Sequence, residues 1–479
     1  MNIPVFHTLR ASAFGLLLAL GAATAFAALP IQHWTQPSGA RVYLVESHAL
    51  PMVDVQIDFD AGGRRNPAGK AGLASFTAGH IDKGLRPAQG GRASAYPQAM
   101  DENQIGQAWA DLGAGLSEGA GSDKMSFSLR SLSEPDILAR AVDLASRHIG
   151  EPAFPADIWQ RDRERVAAAI REANTRPAAI AEKAWLPAVY GGHPYGWEVT
   201  EQTLAAISVE DMRAFYATHI QACRARVSIV GALTRAQADA VAASLLARLP
   251  APPSGRCESL PAVAEIEPLR APVLREIAFP SAQSHVLIGQ PGYKRSDPDF
   301  FPMLVGNYIL GGGGFVSRLS QEVRERRGLS YSVYSYFAPG MHAGAFTLGL
   351  QTRPDQARQA VRVASEVVSR FVAEGPTEAE MQAAKDNLIG GFALRIDSNR
   401  KLLDQVAAIA WHELPLDYLD TWTQRVRAVT LDQVREAFRR KLQPDRMVTV
   451  TVGPVAAPTT QQSTRSLSGL TVPALAPGS

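Results

Sequence analysis

The sequence is poor in cysteine, in unbalanced charge and in long apolar runs. Only two of its 479 residues are cysteine, which excludes a metal site built from clustered cysteines. Lysine and arginine total 48 against 46 acidic residues, so the net charge is only +2. Nucleic-acid binding usually requires a concentrated basic surface, and no zinc-finger, RNA-binding or helix-turn-helix pattern is present either. Nucleic acid is therefore not expected as a partner.

Histidine patterns that hold zinc are also missing. The 10 histidines include neither His-x-x-Glu-His nor His-Glu-x-x-His, the patterns in which two histidines share one helical face. The two cysteines, Cys223 and Cys257, leave two alternatives open. They either form a disulfide in an oxidising compartment or remain unpaired as small apolar residues.

The one long apolar run is at the N-terminus. Residues 11–23 are apolar, follow Arg10, and precede the small-x-small sequence Ala-Phe-Ala at 25–27. This pattern predicts a signal peptide over residues 1–27 and export to the periplasm as a soluble chain. An uncleaved membrane anchor stays open as the alternative, because about 17 apolar residues is the lower limit for spanning a bilayer.

An internal repeat is the most informative feature of the remaining sequence. Residues 207–233 and 429–455 align without a gap, 222 residues apart, and each has helical periodicity followed by a strand that ends in Val-Gly. Residues 53–67 and 284–298 correspond in the same way, each with an alternating strand, a glycine, two basic residues and a polar stop. Two copies of one unit predict an α+β fold, with two homologous repeats of a mixed β-sheet packed with helices.

Composition predicts the boundaries of these copies. Residues 248–272 are rich in proline and small residues, which predicts a linker between domains at 30–247 and 273–455. Residues 456–479 lack periodicity, which predicts a disordered tail. Within the domains, the pattern predicts long helices at 155–179 and 377–398.

Residues 61–85 carry a resemblance to a known family. They read AGGRRNPAGKAGLASFTAGHIDKGL, which resembles the zinc-binding helix of the pitrilysin, insulin-degrading enzyme and mitochondrial processing peptidase family. In that family the helix carries His-x-x-Glu-His, with the pattern GLAHFLEHM. Ser75, Ala78 and Gly79 stand where that pattern has the first His, the Glu and the second His. The family's third ligand, a Glu on a later helix, corresponds to Ala168 or Ala169.

These replacements cannot do the family's metal chemistry. Alanine and glycine have no donor atom, and a neutral serine hydroxyl is a poor zinc ligand. His80 lies one position beyond the motif, and a lone helical histidine is usually packed or solvated rather than a ligand. The resemblance therefore implies that this chain binds no metal. Residues 190–199 also match the family, and their His-Pro-Tyr-Gly at 193–196 is interpreted as a packed turn.

A second motif lies in the second copy, where residues 310–337 read LGGGGFVSRLSQEVRERRGLSYSVYSYF. The pattern predicts a turn, then a helix capped by Ser317 and ended by Gly328, then a strand from Leu329. The turn consists of four glycines: Gly311, Gly312, Gly313 and Gly314. Arg324 and Tyr331 match an Arg and a Tyr, seven residues apart in the family pattern LREERGLAYSV, that reach the zinc site of the other half. By the same resemblance, the glycine turn faces the substrate.

The chemistry of Arg and Tyr suits this role, although a structural role is also open. A tyrosine phenol, with an ordinary pKa near 10, stays a hydrogen-bond donor at neutral pH and can stabilise an oxyanion. Arginine presents a charged planar fork to carbonyls or carboxylates. From the residues alone, Arg324 could equally stabilise the C-terminus of a helix, and Tyr331 could alternate into a core.

The resemblance implies a shared active site. In two-chain bacterial members of the family, one subunit holds the zinc and the other supplies the Arg and Tyr, and this chain resembles the second kind. It is expected to form a heterodimer with a homologous subunit that bears His-x-x-Glu-His and zinc, and to act on peptides. The alternative is a catalytically inactive scaffold or peptide-binding protein of the same fold.

Overall fold

The computed structural model describes residues 30–89, 93–250 and 257–454. The predicted signal peptide and the predicted tail from 456 lie outside these residues, as does the segment 251–256 of the predicted linker. Within the described ranges, no helix is both long enough and apolar enough to cross a membrane.

The described residues form strands and helices in mixed order. The strands are β1 Gln32–Thr35, β2 Arg41–Glu46, β3 Met52–Phe59, β4 Gly84–Leu85, β5 Met100–Asp101, β6 Gly115–Ala120, β7 Met125–Leu132, β8 Arg226–Gly231, β9 Val273–Ala278, β10 Ser284–Tyr293, β11 Val333–Phe337, β12 Gly344–Thr352 and β13 Val448–Gly453. The α-helices are α1 Leu73–Ala78, α2 Glu102–Leu112, α3 Pro135–Gly150, α4 Ala156–Ala173, α5 Pro177–Tyr190, α6 Glu201–Ala205, α7 Val209–His219, α8 Arg235–Leu246, α9 Phe300–Asn307, α10 Ala357–Glu374, α11 Glu378–Gly390, α12 Asn399–His412, α13 Tyr418–Ala428 and α14 Leu431–Lys441.

Two large sheets share one topology. The first has the order β1-β2-β8-β3-β7-β6, and the second has the order β9-β13-β10-β12-β11. In each sheet one neighbouring pair is parallel, β2 with β8 and β9 with β13, and the other pairs are antiparallel. The second sheet therefore repeats the first without β1. The predicted α+β fold of two homologous repeats is confirmed.

The repeated helix and strand have the same local causes in both copies. Helices α7 and α14 each begin with a capping box, built on Ser208 in the first copy and Thr430 in the second. Strands β8 and β13 each end in glycine because a neighbouring strand approaches closely. A Cβ on Gly231 would lie 2.3 Å from the Met52 carbonyl oxygen, and a Cβ on Gly453 would lie 2.3 Å from Ser284 Oγ.

The two halves exchange one helix each. Helix α5, from the first half, packs on β10 and β13 of the second sheet, and α12, from the second half, packs on β8 and β3 of the first. Trp185 and Val189 of α5 belong to one apolar cluster with Val450 of β13. At the end of α12, Arg226 lies 4.8 Å from the Trp411 ring centroid. Each sheet is therefore covered partly by the other half of the chain.

Three predicted elements are wrong in their bounds. The predicted helix 155–179 is two helices, because Pro177 begins α5 and disfavours helical geometry at the residue before it. The predicted helix 377–398 ends at Gly390, and Ser398 caps a new helix, α12. The strand predicted from Leu329 begins at Val333.

The described part of the linker contains no helix or strand, and its residues contact both halves of the chain. Cys223, which follows α7, forms a disulfide with Cys257, and their Cα atoms are 6.0 Å apart. The alternative of two unpaired cysteines is thereby excluded. Further along, Glu265 contacts His342 at 3.2 Å and Lys294 at 2.6 Å, both in the second half.

Candidate functional site

Arg324 and Tyr331 lie against each other on the surface of the second half. The Arg324 guanidinium carbon is 4.8 Å from the Tyr331 ring centroid and 4.5 Å from that of Phe315. Tyr331 is 82% exposed and Phe315 64% exposed. A phenol this exposed does not serve as a core residue, so the proposed alternation of Tyr331 into a core is wrong.

Local backbone structure brings these two residues together. Arg324 lies in a π-helical segment, Ser320–Glu325, a form often found at functional sites. Gly328 then adopts φ +58°, a left-handed conformation that ends the helix as predicted. Ser330 is buried, with its Oγ 2.7 Å from the Gln351 carbonyl oxygen of β12. This anchor fixes the chain beside Tyr331 and leaves the phenol facing solvent.

The four glycines that precede this helix have different roles. Gly311 and Gly312 belong to a π-helical segment, Tyr308–Gly312, so the predicted turn is wrong for these two residues. A Cβ on Gly311 would lie 2.4 Å from Ser335 Oγ, so this glycine is needed for close packing. The turn is made by Gly313 and by Gly314, which has φ +64° and open space around it.

The exposed loop tip follows directly. Phe315 and Val316 are 64% and 73% exposed, and Ser317 Oγ accepts from the backbone N–H of Ser320 at 3.4 Å, which confirms the predicted cap. The glycine segment thus presents an apolar tip beside Arg324.

The positions that replace the zinc motif lie on α1. Ser75 and Gly79 are exposed and Ala78 is buried, with Ser75 Oγ 3.5 Å from the Ala120 carbonyl oxygen of β6. Ala168 and Ala169 of α4 are also exposed. Across the described ranges, no group of three His, Cys, Asp or Glu side chains is arranged to hold a metal ion. The donor set therefore does not fit the zinc that the family implies.

His80 is part of the core rather than a ligand. Its Nδ1 lies 2.9 Å from the Phe76 carbonyl oxygen, its Nε2 is 3.5 Å from Asp162 Oδ2, and its ring packs edge-on against Trp159 at 5.1 Å. Burial lowers the pKa of the His80 imidazole, partly offset by its contacts with Phe76 and Asp162. The prediction of a packed histidine is confirmed.

One titratable residue beside α1 escaped prediction. Glu118 lies on β6, two residues before the carbonyl that faces Ser75, and its Oε2 is buried without a hydrogen-bond partner among the described residues. Burial raises the pKa of the Glu118 carboxyl to about 7, Asp82 adds to the rise, and Lys83 opposes it. The strand sequence GLSEGA carries no signal of this burial, because an alternating glutamate is usually solvated.

The His-Pro-Tyr-Gly segment is a packed turn, as predicted. Residues Pro194–Gly196 form a single 3-10 turn, and His193 Nδ1 accepts from the Tyr195 N–H at 3.1 Å. Burial, with the neighbouring His342, lowers the pKa of His193 to about 4. The Tyr195 hydroxyl donates to Asp123 and accepts from the His342 N–H at 3.3 Å, so this turn joins the two halves.

The structure brings Arg324 and Tyr331 together but not with α1. Within the described residues, no hydrogen bond, ion pair or cation–π contact joins either of them to Ser75, Ala78 or Gly79. The described residues thus hold Arg324 and Tyr331 in contact with each other and apart from the positions that replace the zinc motif.

Comparison with known proteins decides the family. A family model described as peptidase M16 inactive domain matches residues 206–388. A crystal structure of a peptidase M16 inactive domain from Pseudomonas fluorescens is 33% identical, with a TM-score of 0.81, over 90% of this chain and 99% of that chain. The chain belongs to the peptidase M16 family. The resemblance to zinc peptidases predicted from residues 61–85 and 310–337 is thereby confirmed.

Other similar proteins carry both protease and non-peptidase names. An uncharacterized zinc protease from Mycobacterium leprae is 26% identical over 434 residues, which cover 88% of this chain and 92% of the relative. A Helicobacter pylori protein named non-peptidase homolog YmxG is 23% identical over 401 residues, 82% of this chain and 87% of the relative. The periplasmic protease PqqL from Escherichia coli shares the fold, with 16% identity and a TM-score of 0.73 over 89% of this chain and 45% of that chain. The chain is therefore an inactive peptidase-like domain of the M16 family.

Proposed function

We propose that this chain is the non-metal-binding subunit of a heterodimeric zinc peptidase in the periplasm. The observation that carries the proposal is the contact of half-buried Arg324 with exposed Tyr331, in a chain whose α1 has no His, Cys, Asp or Glu. An arginine and a tyrosine held in contact but open to solvent are suited to a substrate or a partner rather than to a core. The partner is a homologous subunit that bears His-x-x-Glu-His.

The proposed roles follow from the two side chains. The partner's His-x-x-Glu-His would hold the zinc, which would supply polarisation of the scissile carbonyl and a bound water of lowered pKa. Tyr331 donates its hydroxyl proton in a hydrogen bond to the oxyanion that develops on that carbonyl. Arg324 binds a substrate carbonyl or carboxylate with its planar fork while the rings of Phe315 and Tyr331 hold its plane.

The disulfide supports the proposed location. A bond between Cys223 and Cys257 persists in an oxidising compartment, which agrees with export through the predicted signal peptide. Mass spectrometry of the chain from a periplasmic fraction tests this: we expect a mature N-terminus after residue 27 or 28. An intact N-terminus in the membrane fraction would instead identify the apolar run as an anchor.

Reconstitution tests the proposed function. The purified chain with added zinc should hydrolyse no peptide, the partner alone should be weak, and the mixture should be active with zinc bound in the partner. The rival is an inactive scaffold, in keeping with the relative named a non-peptidase homolog. A scaffold would assemble with the partner without raising its turnover. Peptidase activity and bound zinc in this chain alone would exclude both.

A further inference from the structure

A cavity opens beside the site, on the face of the second sheet that α5 covers only in part. It has a volume of about 390 Å³ and lies between α5 and strands β10, β11 and β12. Ser332, the residue after Tyr331, is one of its lining residues. It is also lined by four larger side chains, those of Tyr334, Tyr336, Trp185 and Leu287.

The two tyrosines form a stacked aromatic wall. Their ring centroids are 6.0 Å apart with planes inclined by 18°, and the residues are 44% and 46% exposed. Tyr334 lies flat on the sheet because Gly349 beneath it has no side chain: a Cβ there would lie 2.5 Å from the phenol ring. The ring faces are therefore held in place and open to a ligand.

This wall is particular to the second sheet. Strand β6 of the first sheet is equivalent to β11, and its register places Ser117 and Gly119 where β11 has Tyr334 and Tyr336. The repeat alone therefore does not require aromatic residues at these positions. Something other than the shared fold accounts for them.

The charge of the cavity has one sign. Glu182 of α5 is its one charged lining residue, and it is exposed. Among the described residues, no lysine, arginine or histidine forms an ion pair with Glu182. The adjacent Lys183 contacts Glu198 instead, at 3.5 Å. His285, also in the lining, has its pKa lowered by burial and is neutral at pH 7. A carboxylate and two aromatic faces without a counter-cation attract a positive charge.

We propose that this cavity binds an arginine or lysine side chain of the peptide substrate, with Glu182 as its carboxylate partner and Tyr334 and Tyr336 as its aromatic wall. A guanidinium can stack on a phenol face and pair with a carboxylate at once. This specificity rests on the proposed function, but the binding step needs this chain alone.

Calorimetric titration of the chain alone tests the binding. The probes are two blocked pentapeptides, alanine throughout except for a central arginine or its neutral isostere citrulline, at low ionic strength. We expect the arginine peptide to bind about tenfold more tightly, as an ion pair with cation–π contact gives. Glu182→Gln should reduce this ratio several-fold and leave only the cation–π part, whereas Glu378→Gln, at an exposed glutamate of α11, should leave it unchanged.

A second pair of variants separates the aromatic wall from general damage to the fold. Tyr336→Phe keeps the ring and should keep the preference for arginine, whereas Tyr336→Ala should lower it several-fold. Equal affinity for the two peptides, no binding of either up to about 10 mM, or a preference that Glu182→Gln leaves undiminished would overturn the proposal. If the chain alone prefers the arginine peptide but its mixture with the partner gains no turnover, the proposed function is contradicted and the binding site is not.

Discussion

The guanidinium of Arg324 stacks on the ring of Tyr331, with its central carbon 4.8 Å from the ring centroid. The same guanidinium lies 4.5 Å from the Phe315 ring on the glycine-rich loop, so two aromatic rings hold it. Its Nε also contacts Glu325 Oε1 at 3.2 Å. This arrangement orients the planar fork without burying it.

Arg324→Lys keeps the charge but removes the fork and most of the stacking. We expect the reconstituted enzyme to lose about tenfold in kcat/KM, mainly through a higher KM, because a charged hydrogen bond to substrate is weakened. Arg327→Lys, three residues further along the chain and paired with Glu322, is the matched control. Steady-state kinetics that show the same KM for Arg324→Lys and Arg327→Lys would exclude a substrate contact.

Removal of the disulfide should destabilise the fold. The bond between Cys223 and Cys257 closes a loop of 34 residues, which corresponds to about 4 kcal/mol in the chain-entropy treatment. We expect the double variant Cys223→Ser with Cys257→Ser to lose 2–4 kcal/mol of unfolding free energy in urea, about as much as reduction of the unmodified chain. A loss below about 1 kcal/mol in both the double variant and the reduced chain would show that the disulfide contributes little to stability.

Glu118 should make stability depend on pH. Its carboxyl has a pKa of about 7 when folded and an ordinary value of 4.5, so the folded state holds a proton that the unfolded state releases. The free energy of unfolding therefore falls as the pH rises from 4.5 to 7. Above pH 7 the total loss is about 3 kcal/mol. Glu118→Gln should remove this fall. The unfolding free energy of the variant, relative to that of the unmodified chain, should therefore be higher at pH 8 than at pH 4.5.

Urea unfolding at both pH values measures the difference. Glu267→Gln, at an exposed linker glutamate, is the control and should show no such change with pH. If Glu118→Gln and Glu267→Gln respond alike, Glu118 is solvated in the folded chain.

The exchanged helix α5 should tolerate no added volume beneath it. A Cβ on Gly289 would lie 2.0 Å from the Phe346 carbonyl oxygen and 2.7 Å from Trp185 Cζ2, so Gly289→Ala must displace the sheet or the helix. We expect a loss of about 1–3 kcal/mol in unfolding free energy. Gly119→Ala, on a strand with open space around the glycine, should change stability little. Equal stability of the two variants would argue that α5 packs loosely.

The repeat could be predicted because its signals are local. Capping residues at Ser208 and Thr430 and close approaches at Gly231 and Gly453 recur with the copies, and each has a physical cause that the residue type reveals. Helix exchange could not be predicted, because the apolar residues of α5 show that a face is buried but not which sheet buries it. The break before α5 does have a local signal, because Pro177 disfavours helical geometry at the residue before it.

The site could be predicted only where its residues are close together in the sequence. Arg324 and Tyr331 share a motif, so their proximity follows from a short stretch of chain. Glu118 acquires its raised pKa from burial between elements distant in sequence, and Glu182 lies near Tyr334 only because α5 crosses to the second sheet. Such contacts depend on tertiary packing that periodicity does not encode.

The turnover number of the reconstituted heterodimer with Tyr331→Phe tests the central claim most directly. The variant removes one hydroxyl, and Tyr308→Phe, at a tyrosine whose hydroxyl has no hydrogen bond in the described part of the chain, is the matched control. If Tyr331 completes the partner's site, kcat should fall by about a hundredfold with unchanged assembly and unchanged zinc in the partner, while Tyr308→Phe stays near normal. Normal turnover by the Tyr331→Phe heterodimer would contradict the claim that this chain contributes to catalysis through that residue.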